Sequence, residues 1–132
     1  MNMNQFTQKS IEALRDMQSA ALENGNQQIE QVHLLHALIS KEDGLIPNLI
    51  TKSGASLEDL RAKTEAAISA LPKVSGMQAD KLYISRKLDS AFTEAEAQAK
   101  KMKDEFVSVE HLMLALFSKG DMKIKEIFRG AG

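Results

Sequence analysis

The chain repeats itself at a fixed offset. His33-Leu34-Leu35-His36-Ala37-Leu38 returns as His111-Leu112-Met113-Leu114-Ala115-Leu116, 78 positions later. The register holds without a gap beyond the motif: Thr7 matches Ser85, Lys9 Lys87, Ala13 Ala91, Ala21 Ala99, Ile29 Val107, Ser40-Lys41 Ser118-Lys119, and Ile46 Ile124. Residues 7–50 and 85–128 share 11 identities in 44 positions, where average composition gives about 3. A repeat of this kind is one supersecondary unit used twice, and it sets the architecture before any local reading does.

The unit is helical. Thr7 suits an N-cap, with apolar Phe6 before it, and Ile11, Leu14, Met17, Ala21 and Leu22 follow at helical spacing until Asn24-Gly25-Asn26 stops the run. A second helix spans about 31–41, with Lys41 near its C-terminus where a cation suits the dipole. Asp43 can cap a short third helix around 44–53, with Pro47 in its first turn. Ser56 opens a fourth, closed by Pro72. Residues 72–84 read as a linker without a period, and from Ser85 the pattern restarts, with Ser108 and Asp121 as the next caps. The fold class is therefore all-α, two pseudo-repeated four-helix units in one domain: copy one about 5–71, linker 72–84, copy two about 85–132. The register puts a fourth helix of copy two at about 134–149, past Gly132. The expectation is a fragment of a longer chain whose second copy exposes apolar surface.

Several chemistries are disfavoured. With no cysteine among 132 residues there is neither a disulfide framework nor a thiolate centre. A formal net charge of −1 gives no electrostatic case for nucleic acid. No apolar run has the length of a membrane span and no signal-peptide pattern is present, so a soluble cytoplasmic chain is expected. Glycine-rich phosphate loops, nucleophile elbows and a complete calcium loop are missing, and no catalytic residue is assigned. His33 and His36 share a helix face, but no third ligand sits at metal spacing. His33 and His111 recur together, which assigns them to the scaffold, bonding a helix terminus or the preceding loop.

Differences between the copies are more informative for binding. Glu110 faces Val32 in the register, Asp104-Glu105-Phe106 faces Asn26-Gln27-Gln28, and Phe92 faces Leu14. Copy two thus carries acids and aromatics near the start of its second helix, as a polar-rimmed groove for extended polypeptide would.

These paired patterns, from Thr7 to Leu38 and from Ser85 to Leu116, resemble the Clp N-terminal domain over about residues 5–132. Leu71-Pro72-Lys73-Val74-Ser75-Gly76, Ala99-Lys100-Lys101 and Asp104 to His111 make it most similar to the ClpB type. The resemblance implies a substrate-engaging domain that delivers aggregated or unfolded polypeptide to AAA+ modules of the same chain. Those modules, not this segment, would bind ATP and Mg and form a hexameric ring; the isolated domain would be a monomer. It further implies that Thr7, Asp104 and Glu110 engage substrate. Leu88, Phe92, Phe106 and Val107 are the apolar candidates beside them, chosen by position. The alternative is an adaptor-docking domain of a ClpC- or ClpA-type protease unfoldase. The ClpC pattern places a Glu before both histidines for phosphoarginine recognition; Val32 in one of those places argues against it.

Overall fold

The computed structural model describes residues 3–41, 44–76 and 78–131. Its helices are α1 (Gln8–Glu23), α2 (Gln31–Ile39), α3 (Leu45–Lys52), α4 (Leu57–Ser69), α5 (Arg86–Lys101), α6 (Val109–Lys119) and α7 (Met122–Ala131). Shifting α1 by 78 gives the bounds of α5, and the starts of α2 and α6 differ by the same offset. Helices α3 and α7 correspond to within a residue at each end. The architecture is all-α, as the periodicity predicts.

The caps explain the boundaries. Thr7, Ser56 and Ser85 each accept the backbone N–H three residues on, and Asp121 Oδ1 accepts from Ile124 N at 2.9 Å. Asp43 lies outside the described residues; the N-cap position of α3 belongs to Gly44. Helices α1 and α5 end in the same way. Asn26 N bonds Ala21 O and Gly25 N bonds Leu22 O, while Asp104 N bonds Ala99 O and Lys103 N bonds Lys100 O. This paired closure needs a left-handed residue just past the helix. Copy one supplies Gly25 at φ 72°, copy two Lys103 at φ 61°.

Within the expected linker lie a 3-10 turn, Ala79–Lys81, and a strand, β2 (Tyr83–Ile84), parallel to β1 (Gln28–Ile29). Two residues are too few to show a period. The counterpart of the Ile29–Ile84 pairing is the bridge between Phe6 and Val107, both displaced by 78. Ser85 N donates to Ile29 O at 3.0 Å, and Thr7 N donates to Val107 O at 2.9 Å. Each copy's leading segment is hydrogen-bonded to the other copy's loop.

The core runs through both copies. Leu34, Leu35, Ile39, Leu88, Leu112, Leu116 and Ile124 are fully buried, with Met17 and Phe92 beside them, each contributing roughly 1.5–3 kcal/mol of transfer free energy. Helix α1 packs mainly on α2, and α5 on α6. Buried Gln31 joins the copies. Its Nε2 donates to Lys87 O (2.8 Å) and Lys119 O (3.0 Å), and its Oε1 accepts from Asp121 N (2.8 Å). The copies differ at their outer layer. Ile39, packed in the copy to which α4 belongs, is 0% exposed; its counterpart Phe117 is 58% exposed and stacks on Phe128 with centroids 4.6 Å apart.

Candidate functional site

A groove of about 670 Å³ opens where the N-termini of α1, α3 and α6 converge. Ala13, Ala37, Leu38, Leu45, Ile46 and Val109 give it apolar walls. Its rim carries Thr7, Glu12, Asp16 and Glu110 together with Lys9 and Lys41. Lys41 Nζ lies 3.5 Å from Glu12 and 3.6 Å from Asp16 across the gap between α2 and α1. These are solvent-exposed pairs worth little individually, yet they keep two acids at the lip. Ser10, buried under the rim, sets its hydroxyl 2.8 Å from Val107 O and receives the Thr7 hydroxyl at 3.0 Å. Thr7 is thus held on one wall by copy one's first helix turn and by copy two's loop.

The sequence-derived candidates divide into three groups. Thr7 and Glu110 line this groove together. Asp104 lies instead in a neighbouring cleft with Gln5, Thr93, Glu105 and Val107, and its Oδ2 is bound by His111 Nε2 at 2.8 Å. Phe106 is exposed on the same loop, at 44%. Leu88, Phe92 and Val107 are corrected: all three are core residues, no more than 3% exposed. Leu88 and Phe92 belong to the inward stripe of α5 with Ala91, Ala95 and Ala99, and Val107 is pinned by its pairing with Phe6. Leu88 and Phe92 line neither the groove nor the Asp104 cleft, to which Val107 contributes only a nearly buried side chain. The sequence reading missed Leu45, whose 48% exposure makes it the groove's most open apolar residue. Its position at the start of a short helix gave no signal.

His33 and His111 are structural, and the geometry says how. His33 Nδ1 accepts from Glu30 N at 2.8 Å, and His111 Nδ1 accepts from Ser108 N at 2.9 Å. Each imidazole therefore caps its helix from inside. The other nitrogen, Nε2, meets Asn26 Oδ1 at 2.9 Å in copy one and Asp104 in copy two. With Nδ1 accepting, Nε2 carries the proton and donates. Burial holds the His33 imidazole down, from 6.5 to about 4. Both ring nitrogens of His33 are engaged, so it offers no lone pair to a metal. Among the described residues no group of three His, Cys, Asp or Glu side chains is arranged to hold one, and no helix is long and apolar enough to cross a membrane.

Fold and grooves together define a pseudo-two-fold helical repeat domain. The chain belongs to the Clp repeat (R) N-terminal domain family, whose model matches residues 5–131. It is 41% identical over 128 residues to the chaperone protein ClpB 2 of Nostoc sp., covering 97% of this chain and 14% of that protein. It is 38% identical over 132 residues to the chaperone protein ClpB of Brucella suis, covering 100% and 15%. The chain thus spans about one-seventh of the length of these relatives and corresponds to the N-terminal domain of a ClpB-type chaperone. Among solved structures, the Hsp104 N-terminal domain from Candida albicans superposes with a TM-score of 0.86 at 24% identity, over 96% of this chain and 81% of that one. The N-domain of ClpV from Vibrio cholerae gives 0.79 at 14% identity, over 98% and 78%. At these identities the likeness speaks for the fold.

Proposed function

We propose that this domain captures unfolded or aggregated polypeptide in the groove between Thr7 and Glu110, for a cytoplasmic ClpB-type disaggregase. ATP and Mg would be bound by modules of a longer chain that assembles as a hexameric ring. The observation that carries the reading is the co-location of Thr7 and Glu110 on apolar walls with an acid-bearing lip. The walls take aliphatic side chains, the threonine hydroxyl meets peptide groups, and Glu110 accepts from backbone amides or cationic side chains. Affinity is weak, because a small apolar groove must overcome the ordering entropy of a flexible chain. The role of Asp104 is to hold the His111 ring, so it supports the groove without lining it.

The test is a titration with a labelled, permanently unfolded protein. Leu45→Ser and Glu110→Ala each weaken binding roughly three- to tenfold, the equivalent of about 1 kcal/mol. Thr7→Ala does the same once its lost N-cap is accounted for by a parallel unfolding curve. Asp104→Asn, which reproduces Asn26 of copy one, leaves binding unchanged. Wild-type affinity in both Leu45→Ser and Glu110→Ala would refute the site.

A further inference from the structure

The 78-residue register carries the Thr7–Glu110 groove onto a second groove, of about 580 Å³, on the opposite side of the pseudo-two-fold axis. Thr7 becomes Ser85, Lys9 becomes Lys87, Glu110 becomes Val32 and Leu45 becomes Lys123, all of them lining residues. Here the N-termini of α2, α5 and α7 converge. The backbone framework is shared, and the electrostatics is inverted. The first groove sets three acids, Glu12, Asp16 and Glu110, against two lysines. The second sets three cations, Arg86, Lys87 and Lys123, against Glu30 and Asp121. Asp121 is already engaged in capping α7 through Ile124 N. Arg86 and Lys87 form no ion pair among the described residues, whereas Lys123 reaches only exposed Glu126, at 3.2 Å. Helix N-termini add positive potential from three directions. Ala67, Ala70 and Leu71 of the α4 end form an apolar wall. The Gln31 bonds to Lys87 O and Asp121 N tie together the three helix ends that frame the groove. In the first groove the position equivalent to Gln31 is Val109, which forms no such clamp.

We infer that this second groove binds acidic, partly apolar segments of unfolded polypeptide, seating carboxylates on Arg86, Lys87 and Lys123 and aliphatic side chains on Ala67, Ala70 and Leu71. The inference rests on the reading of the domain as a polypeptide-capturing module and assigns it a second, charge-selective surface. The two grooves sort segments by charge: cationic and neutral ones to Glu110, acidic ones to Arg86.

The experiment uses the 132-residue chain, a labelled short peptide alternating Asp and Leu, and its counterpart alternating Lys and Leu. Binding is followed by anisotropy and located by amide chemical-shift mapping. The acidic peptide is expected to shift Val32, Ser85 and Lys87, and to weaken roughly fivefold in Arg86→Gln/Lys87→Gln. Arg86→Lys/Lys87→Arg restores it, and Glu65→Gln, exposed on α4 outside both grooves, leaves it unchanged. Absence of acidic-peptide binding, equal affinity in Arg86→Gln/Lys87→Gln, or shifts confined to Thr7 and Glu110 would each overturn the inference. Failure of the parent reading is distinct, since it is reported by the unfolded-protein titration and its Leu45 and Glu110 variants.

Discussion

Replacing Gln31 by Met removes the polar clamp between the two copies while nearly conserving volume. The side chain is fully buried and makes three hydrogen bonds of 2.8–3.0 Å. Lys87 O lies inside α5 and keeps its helical partner after the change. Lys119 O, at the last turn of α6, and Asp121 N, just before α7, have no such alternative. Each buried orphan costs about 1–3 kcal/mol, so with two orphans Gln31→Met is expected to lose roughly 2–6 kcal/mol. For a chain of this length 1 kcal/mol corresponds to about 3–4 °C in Tm, which puts the shift at roughly 6–24 °C. Thermal and urea unfolding followed by circular dichroism measure it. Gln18→Met, on the exposed face of α1, serves as control and should stay within about 0.5 kcal/mol. A Gln31→Met loss below about 1 kcal/mol would refute the reasoning, because the junction would then not depend on the clamp.

Two further predictions concern the repeated loop. His33 has a folded pKa of about 4 against 6.5 unfolded, so its contribution is complete above 6.5 and is lost as pH falls towards 4. That amounts to at most about 3 kcal/mol; His33→Gln, less stable at neutral pH, should show a flatter decline of Tm across that window. Lys103 sits at φ 61° where copy one has Gly25, so Lys103→Gly should raise stability by about 0.5–1 kcal/mol, read as a Tm increase of a few degrees.

The helical repeat was legible because eleven matched residues and four hydroxyl- or carboxylate-bearing caps all speak through short-range rules. The scaffold role of His33 and His111 was legible for the same reason, since recurrence at a helix start points to a terminus. The groove was only half legible. Helical periodicity identifies the stripe Leu88–Phe92–Ala95–Ala99, but not what lies against it, and that stripe turned inward against α6. Val107 was hidden by a bridge to a residue 101 positions away. Gln31 gave no sign, because its three partners lie 56 to 90 residues downstream and are backbone atoms of residues whose side chains are irrelevant to the contact. The inverted charge of the second groove was present in the sequence all along, but only the fold brings Arg86, Lys87 and Lys123 to one rim.

The reciprocal pairing of Phe6 with Val107 and of Ile29 with Ile84 constrains the order in which the molecule can be made. On a ribosome the N-terminal segment emerges first, yet its partner Val107 is polymerised on the order of 5–20 s later. Copy one must wait, its leading segment unpaired, until copy two's loop clears the exit tunnel. Neither half completes its backbone bonding by itself, so the duplication is obligate, and trimming the first six residues would damage the second copy as surely as the first.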